Sequence, residues 1–166
     1  MDTIVDLMVD KYILTYCVQE TWIIRNVNTV VRNHIIFSHN REEREVGTRG
    51  RVPGGVDIIL SPEAVTAWRA AGAKPPIATP LQSKFVGRFL GLKLQFPRFD
   101  RFDRRSQGEL KLFIALIYDP VDTKYHKEFN DTLSMLLNLV PKTSNFIGGH
   151  DVNSNLGVWK NFTKEC

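Results

Sequence analysis

Leu110-Lys-Leu-Phe-Ile-Ala-Leu-Ile-Tyr118, then Asp119-Pro120, then a segment closed by Pro141, then Phe146-Ile-Gly-Gly-His-Asp151: this stretch decides the fold. The first run is dominated by branched and aromatic residues and predicts a buried strand. In the middle segment Phe129, Leu133, Leu136, Leu137 and Val140 recur at helical spacing. They predict a helix from a cap at Asp122 or Thr123 to about Leu139, lying as a cover on a sheet. A second strand is expected over Asn145–Gly148. Working outward, Phe89, Leu90, Leu92, Leu94 and Phe96 mostly alternate, as in a strand with one covered face. Further strands are expected at Tyr12–Val18, His34–Ser38 and Val56–Leu60. Ile4, Val5, Leu7 and Met8 fall on one side of a short helix over residues 2–10, and Ser61-Pro62-Glu63 starts another that Gly72 stops. Residues 40–55, rich in Gly and Arg, and residues 72–83, with Pro75, Pro76 and Pro80, are expected to be loops. The order is mixed and strands predominate, so the fold class is α/β (α+β), in layers.

At 166 residues, 43% apolar and 24% charged, the chain is expected to form one domain with a sizeable core. No apolar run approaches the roughly 18 residues of a membrane helix, so no membrane partner is expected. The acidic start Met1-Asp-Thr-Ile-Val-Asp6 lacks the basic opening of a signal peptide. Two cysteines, Cys17 and Cys166, cannot build a disulfide framework, which points to an intracellular setting, nuclear or cytoplasmic. Cys17 is expected to be a small buried apolar residue, and Trp22, Trp68 and Trp159 to be packing groups. The net charge of +4 is unevenly spread: residues 41–111 hold fourteen Lys and Arg against eight Asp and Glu. Such a concentration raises the expectation of a polyanionic partner, although a solvated basic face explains it as well.

Three groups could carry chemistry. Glu20, in Gln19-Glu20-Thr21, sits at the rim of a sheet, either converging on a ligand or solvated at a turn. In Gly148-Gly149-His150-Asp151-Val152-Asn153, the alternation puts Asp151 and Asn153 on one side of an extended chain. A carboxylate beside an amide suits a hard cation and a phosphate oxygen. The competing account is an Asx-rich turn in which Gly157 supplies a positive φ. Tyr118, at a strand end, can offer its hydroxyl to a phosphate or simply pack the rim.

Taken in order, Gln19-Glu20-Thr21-Trp22, Gly54-Gly55-Val56-Asp57-Ile58-Ile59-Leu60, Ile117-Tyr118-x-Pro120, a helix, and Gly148-Gly149-x-Asp151-x-Asn153 resemble the endonuclease/exonuclease/phosphatase superfamily. Within it the likeness is to the apurinic-type endonuclease domain of non-LTR (LINE-like) retrotransposon polyproteins, and it spans residues from about 5 to 158. The resemblance implies a four-layered α/β sandwich: two mostly antiparallel sheets with helices outside. It implies hydrolysis of a nucleic-acid phosphodiester, DNA first, with Mg²⁺ or Mn²⁺. Glu20 would be the metal ligand, Tyr118 would contact the scissile phosphate, Asp151 would orient or deprotonate the attacking water, and Asn153 would hold a phosphate oxygen. These roles neutralise developing charge, activate water and fix the in-line geometry. Arg49, Arg51, Arg98, Arg101, Arg104 and Arg105 would contact the nucleic-acid backbone.

The chain also departs from that pattern. The superfamily opens with a strand bearing an asparagine and ends with an Asp–His segment, and neither is expected within these 166 residues. His150 replaces the usual glycine before the acid, and Asp119 adds a charge beside Tyr118. The expectation is therefore an incomplete sandwich, weakly active or inactive, completed by a partner chain or by further polyprotein segments. Two other readings stay open: a non-catalytic polyanion-binding remnant, and a phosphoesterase acting on a lipid or inositol phosphate.

Overall fold

The computed structural model describes residues 2–21, 28–40, 55–97 and 108–151. Each sheet is built from short-range pairings that the apolar runs dictate. The first contains β1 (Thr15–Gln19), β2 (Asn28–Val31), β3 (His34–His39) and β4 (Val56–Leu60), in the order β1-β4-β3-β2 and antiparallel throughout. The second contains β5 (Ile77–Ala78), β6 (Phe89–Pro97), β7 (Glu109–Tyr118) and β8 (Asn145–Asp151), in that order. Among the described strands only the β7–β8 pair is parallel, as its helical crossover requires.

Alternation sorts the apolar side chains into three layers of core. Phe37, Val56, Ile58 and Leu60 of the first sheet meet Leu90, Leu92, Leu94, Ile114, Leu116 and Tyr118 of the second. Ile36 and Ile59 turn to the opposite face and pack on Met8 of α1 (Asp2–Asp10). Phe89, Phe113, Ala115 and Ile117 turn to the outer face of the second sheet, where Phe129 and Leu136 of α3 (His126–Leu137) cover them. The result is an α+β sandwich of four layers: α1, sheet, sheet, α3. A further helix, α2 (Pro62–Ala70), adds Ala64, Val65 and Ala67 to the inter-sheet core. Ser61 caps it by accepting a hydrogen bond from the Ala64 amide at 3.2 Å, with Pro62 in the first turn. Trp68 packs edge-on against Phe37, as expected of a structural tryptophan.

Several local expectations needed correction. The first strand begins at Thr15, because Tyr12 takes a left-handed φ of 54° and turns the chain out of α1. Cys17 is exposed, since β1 is an edge strand whose face is not fully covered. The 123–139 helix starts as a 3₁₀ turn (Thr123–Tyr125) capped by Asp122 before α3 proper. Two strands were not anticipated. β2 forms because Arg32 and Asn33 (φ 48° and 67°) make the mirror-image two-residue turn that matches hairpin twist. β5 is a two-residue strand inside the proline-rich segment, paired to β6.

Candidate functional site

At one end of the sandwich β1, β3, β7 and β8 finish and β4 and β6 begin. Polar side chains gather there: of the buried polar residues described, Ser38, His39, Asn40, Asp57, Thr79, Arg88 and Asp119 lie at this end. Burying such groups is costly unless they are hydrogen-bonded, and three bonds at this end tie one sheet to the other. The Gln19 amide donates to the Ile117 carbonyl of β7 at 2.8 Å. The imidazole Nε2 of His39 lies 2.9 Å from the Thr79 hydroxyl, and the Gly55 amide donates to the Gly87 carbonyl at 3.2 Å. Burial pulls His39 below the ordinary imidazole value, with its bond to Thr79 opposing.

The sequence-predicted residues fall into this end as follows. Tyr118 closes β7 and donates its hydroxyl to Glu20 Oε1, from the second sheet to the segment after β1 in the first. Asp151 closes β8 directly beside Tyr118 in the parallel register. Paired residues of neighbouring strands share a face, so Asp151 lies on the Tyr118 side, facing the first sheet. Glu20 itself is exposed and holds a left-handed φ of 53°. Asn153 and the arginines Arg49, Arg51, Arg98, Arg101, Arg104 and Arg105 lie outside the described residues, as do Trp22 and Trp159.

Other residues join the site without any local signal in the sequence. Arg88, 7% exposed, stacks its guanidinium 4.3 Å from the centre of the Tyr118 ring and donates to the Asp119 carbonyl at 2.8 Å. The cation lies over the ring face, where the quadrupole attracts it, so Arg88 braces Tyr118 from the side. Asp119 accepts from or pairs with His150 Nε2 at 2.8 Å. That pair stands at the same end but not in the same place. His150 shares its face with Ile117, the α3 side of the second sheet, whereas Tyr118 and Asp151 share the other.

Behind Glu20 is a buried polar cluster. Asp57, 1% exposed, follows Val56 in β4 and lies on the α1 side. Its Oδ1 is 3.4 Å from the Thr21 hydroxyl, which lies 3.1 Å from Asn40 Oδ1, while Oδ2 is buried with no hydrogen-bond partner among the described residues. Burial pushes the Asp57 carboxyl above the usual carboxylate value, against hydrogen bonds from Ser38, Asn40 and Thr21 that lower it. A carboxyl raised in the folded state stabilises below its unfolded pKa, and that contribution is lost as pH rises through the folded value. Urea melts of the parent and Asp57→Asn between pH 4 and 7 should therefore show the variant gaining on the parent as pH rises. A difference independent of pH would mean that Asp57 is not elevated.

A hydrolytic centre of the kind implied above would need a divalent cation. No group of three or more His, Cys, Asp or Glu among the described residues is placed to share one. Mg²⁺ asks for less than that, since it keeps several waters and is commonly held by one or two carboxylates. Glu20 suits it: the residue is exposed, and its one hydrogen bond among the described residues, to Tyr118, engages Oε1 alone. No helix of the described residues is long and apolar enough to cross a membrane. Comparison of the chain with protein-family models, with curated proteins and with solved structures finds no match.

Proposed function

We propose that this chain is a metal-dependent phosphodiester hydrolase domain acting on nucleic acid, of the retrotransposon endonuclease type that its motifs resemble. The observation that carries the reading is the bond from the Tyr118 hydroxyl to Glu20, made across the two sheets, with Asp151 on the same face beside Tyr118. Residues 98 positions apart in the chain meet where strand ends converge, the arrangement a rim-bound substrate requires. In this reading Glu20 holds Mg²⁺ or Mn²⁺, which would supply charge neutralisation at the phosphate. Tyr118, whose single hydroxyl proton goes to Glu20 here, would turn it to a phosphate oxygen when substrate binds, and Asp151 would orient or deprotonate water. Asn153 and Arg49, Arg51, Arg98, Arg101, Arg104 and Arg105 keep their proposed phosphate contacts, and the partner is nucleic acid, DNA first.

Turnover is expected to be slow. Among the described residues no histidine is shown bonded to Tyr118 or Asp151. His150 is on the opposite face and pairs with Asp119. His39 faces the gap between the sheets but is held by Thr79, and His34 and His126 bond the Arg32 and Pro120 carbonyls. Each preorganised donor missing from a transition state costs about 10²–10³ in rate. The test is nicking of supercoiled plasmid with Mg²⁺ or Mn²⁺. Slow, metal-dependent nicking should be seen in the parent and lost in both Glu20→Gln and Asp151→Asn. Nicking that persists in both variants, or none at any metal concentration, overturns the reading. Binding of a short duplex should weaken steeply with salt, because the basic segment displaces counterions rather than reading bases.

A further inference from the structure

The geometry points to Gln19 and Thr21 as positioning residues that hold Glu20 in a left-handed turn and so aim its carboxylate at Tyr118 and at the cation proposed there. The inference rests on the reading of Glu20 just given. Its basis is the parity of β1. Tyr16 and Val18 pack on the α1 side of the first sheet. Gln19 therefore faces the second sheet, which is where its amide finds the Ile117 carbonyl. Continued as a strand, Glu20 would fall back to the α1 side, away from Tyr118. A φ of 53° breaks the alternation and returns the carboxylate to the Tyr118 side.

A glutamate has no intrinsic reason to take that conformation, which persists in non-glycine residues only where the surroundings over-determine it. Here the two neighbours of Glu20 are tied in opposite directions. Gln19 is bonded to β7 of the second sheet, and Thr21 is bonded to Asn40 and Asp57 behind the first. Gly55 makes room for the second anchor: a Cβ there would lie 2.0 Å from Asn40 Oδ1 and 2.7 Å from the Thr21 hydroxyl. Between the two anchors the chain must reverse within one residue. The Gln-Glu-Thr triplet is on this account a ligand with its own clamp on either side.

The test reads the Tyr118 hydroxyl directly. In protein carrying ¹³Cζ-tyrosine, the Tyr118 resonance is assigned by its loss in Tyr118→Phe, and Glu20→Ala gives its position without the bond. Thr21→Val and Gln19→Leu, which loosen the clamp from opposite sides, should both move the resonance toward that position, while Thr21→Ser keeps it where the parent has it. Two variants guard against one of them failing to fold. Mn²⁺ binding, followed by electron paramagnetic resonance, should weaken about 10–100-fold in Thr21→Val and be restored in Thr21→Ser. A Tyr118 resonance unchanged in both Thr21→Val and Gln19→Leu overturns the positioning role. Mn²⁺ binding indifferent to Glu20→Ala instead defeats the assignment of the carboxylate to a cation, and with it the purpose of the clamp, whatever the tyrosine signal shows.

Discussion

Truncating Phe129 to alanine should remove about 3–5 kcal/mol of folding stability. Phe129 is fully buried and makes an edge-to-face contact with Phe85, ring centres 5.3 Å apart, within the cluster of Phe89, Phe113, Ala115 and Ile117. It is the largest side chain by which α3 holds the outer face of the second sheet, with Leu136 two turns further along the same face. Aromatic truncation leaves a void that a strand-backed surface cannot close, so the lost contacts are not recovered by relaxation. A domain of this size has about 5–15 kcal/mol in all, which makes this one change a large part of the total. Met135, on the same helix but 72% exposed, is the control: Met135→Ala should stay within about 0.5 kcal/mol. Urea denaturation of both variants checks this, and a Phe129→Ala loss below about 1 kcal/mol would show that α3 does not cover the sheet.

The second large effect is expected at Gly55, and Gly72 supplies an internal comparison. Both adopt a positive φ, 98° and 95°, where a Cβ carries a conformational cost of about 1–2 kcal/mol. They differ in surroundings. Nothing lies within 4 Å of a Cβ built at Gly72, whereas one at Gly55 collides with Asn40 and Thr21. Gly72→Ala should therefore cost only the conformational amount. Gly55→Ala adds overpacking of about 1–3 kcal/mol and displaces the groups that anchor Thr21. It should lower the melting temperature by several degrees more than Gly72→Ala and also disturb the Glu20–Tyr118 bond. Equal melting temperatures for the two variants would mean that the Asn40–Thr21 cluster is not packed as described.

Much of the fold is legible because its signals are local. A β-branched run such as Val56–Leu60, the alternation of Phe89 to Phe96, and the 3.6-residue recurrence of Phe129, Leu133 and Leu136 each express a period that survives in the chain alone. Ser61-Pro62 marks a helix start because capping is satisfied within three residues. Where the signal is short, the reading misses: β2 has four residues and depends on the turn at Arg32 and Asn33, and β5 has two. Of the site, Glu20, Tyr118 and Asp151 are legible as strand-end polar residues in a recognisable order. Arg88, Asn40 and Asp57 are not, because a lone arginine, asparagine or aspartate beside an apolar strand is usually solvated, and only the opposing layer buries it.

The amino-acid sequence by itself determined the class of the domain, the places where its main strands and helices form, and the acid, tyrosine and acid that stand at or just after the ends of three of those strands. Periodicity and capping suffice for that, since each involves residues within a few positions of one another. Only the tertiary structure decided which side each of those residues faces. It put Asp151 with Tyr118 and His150 on the far face, and it turned Glu20 back across the gap between sheets. It also buried Asp57 behind Thr21. These outcomes rest on register and on contacts between residues tens of positions apart, and a one-residue slip in register reverses every face.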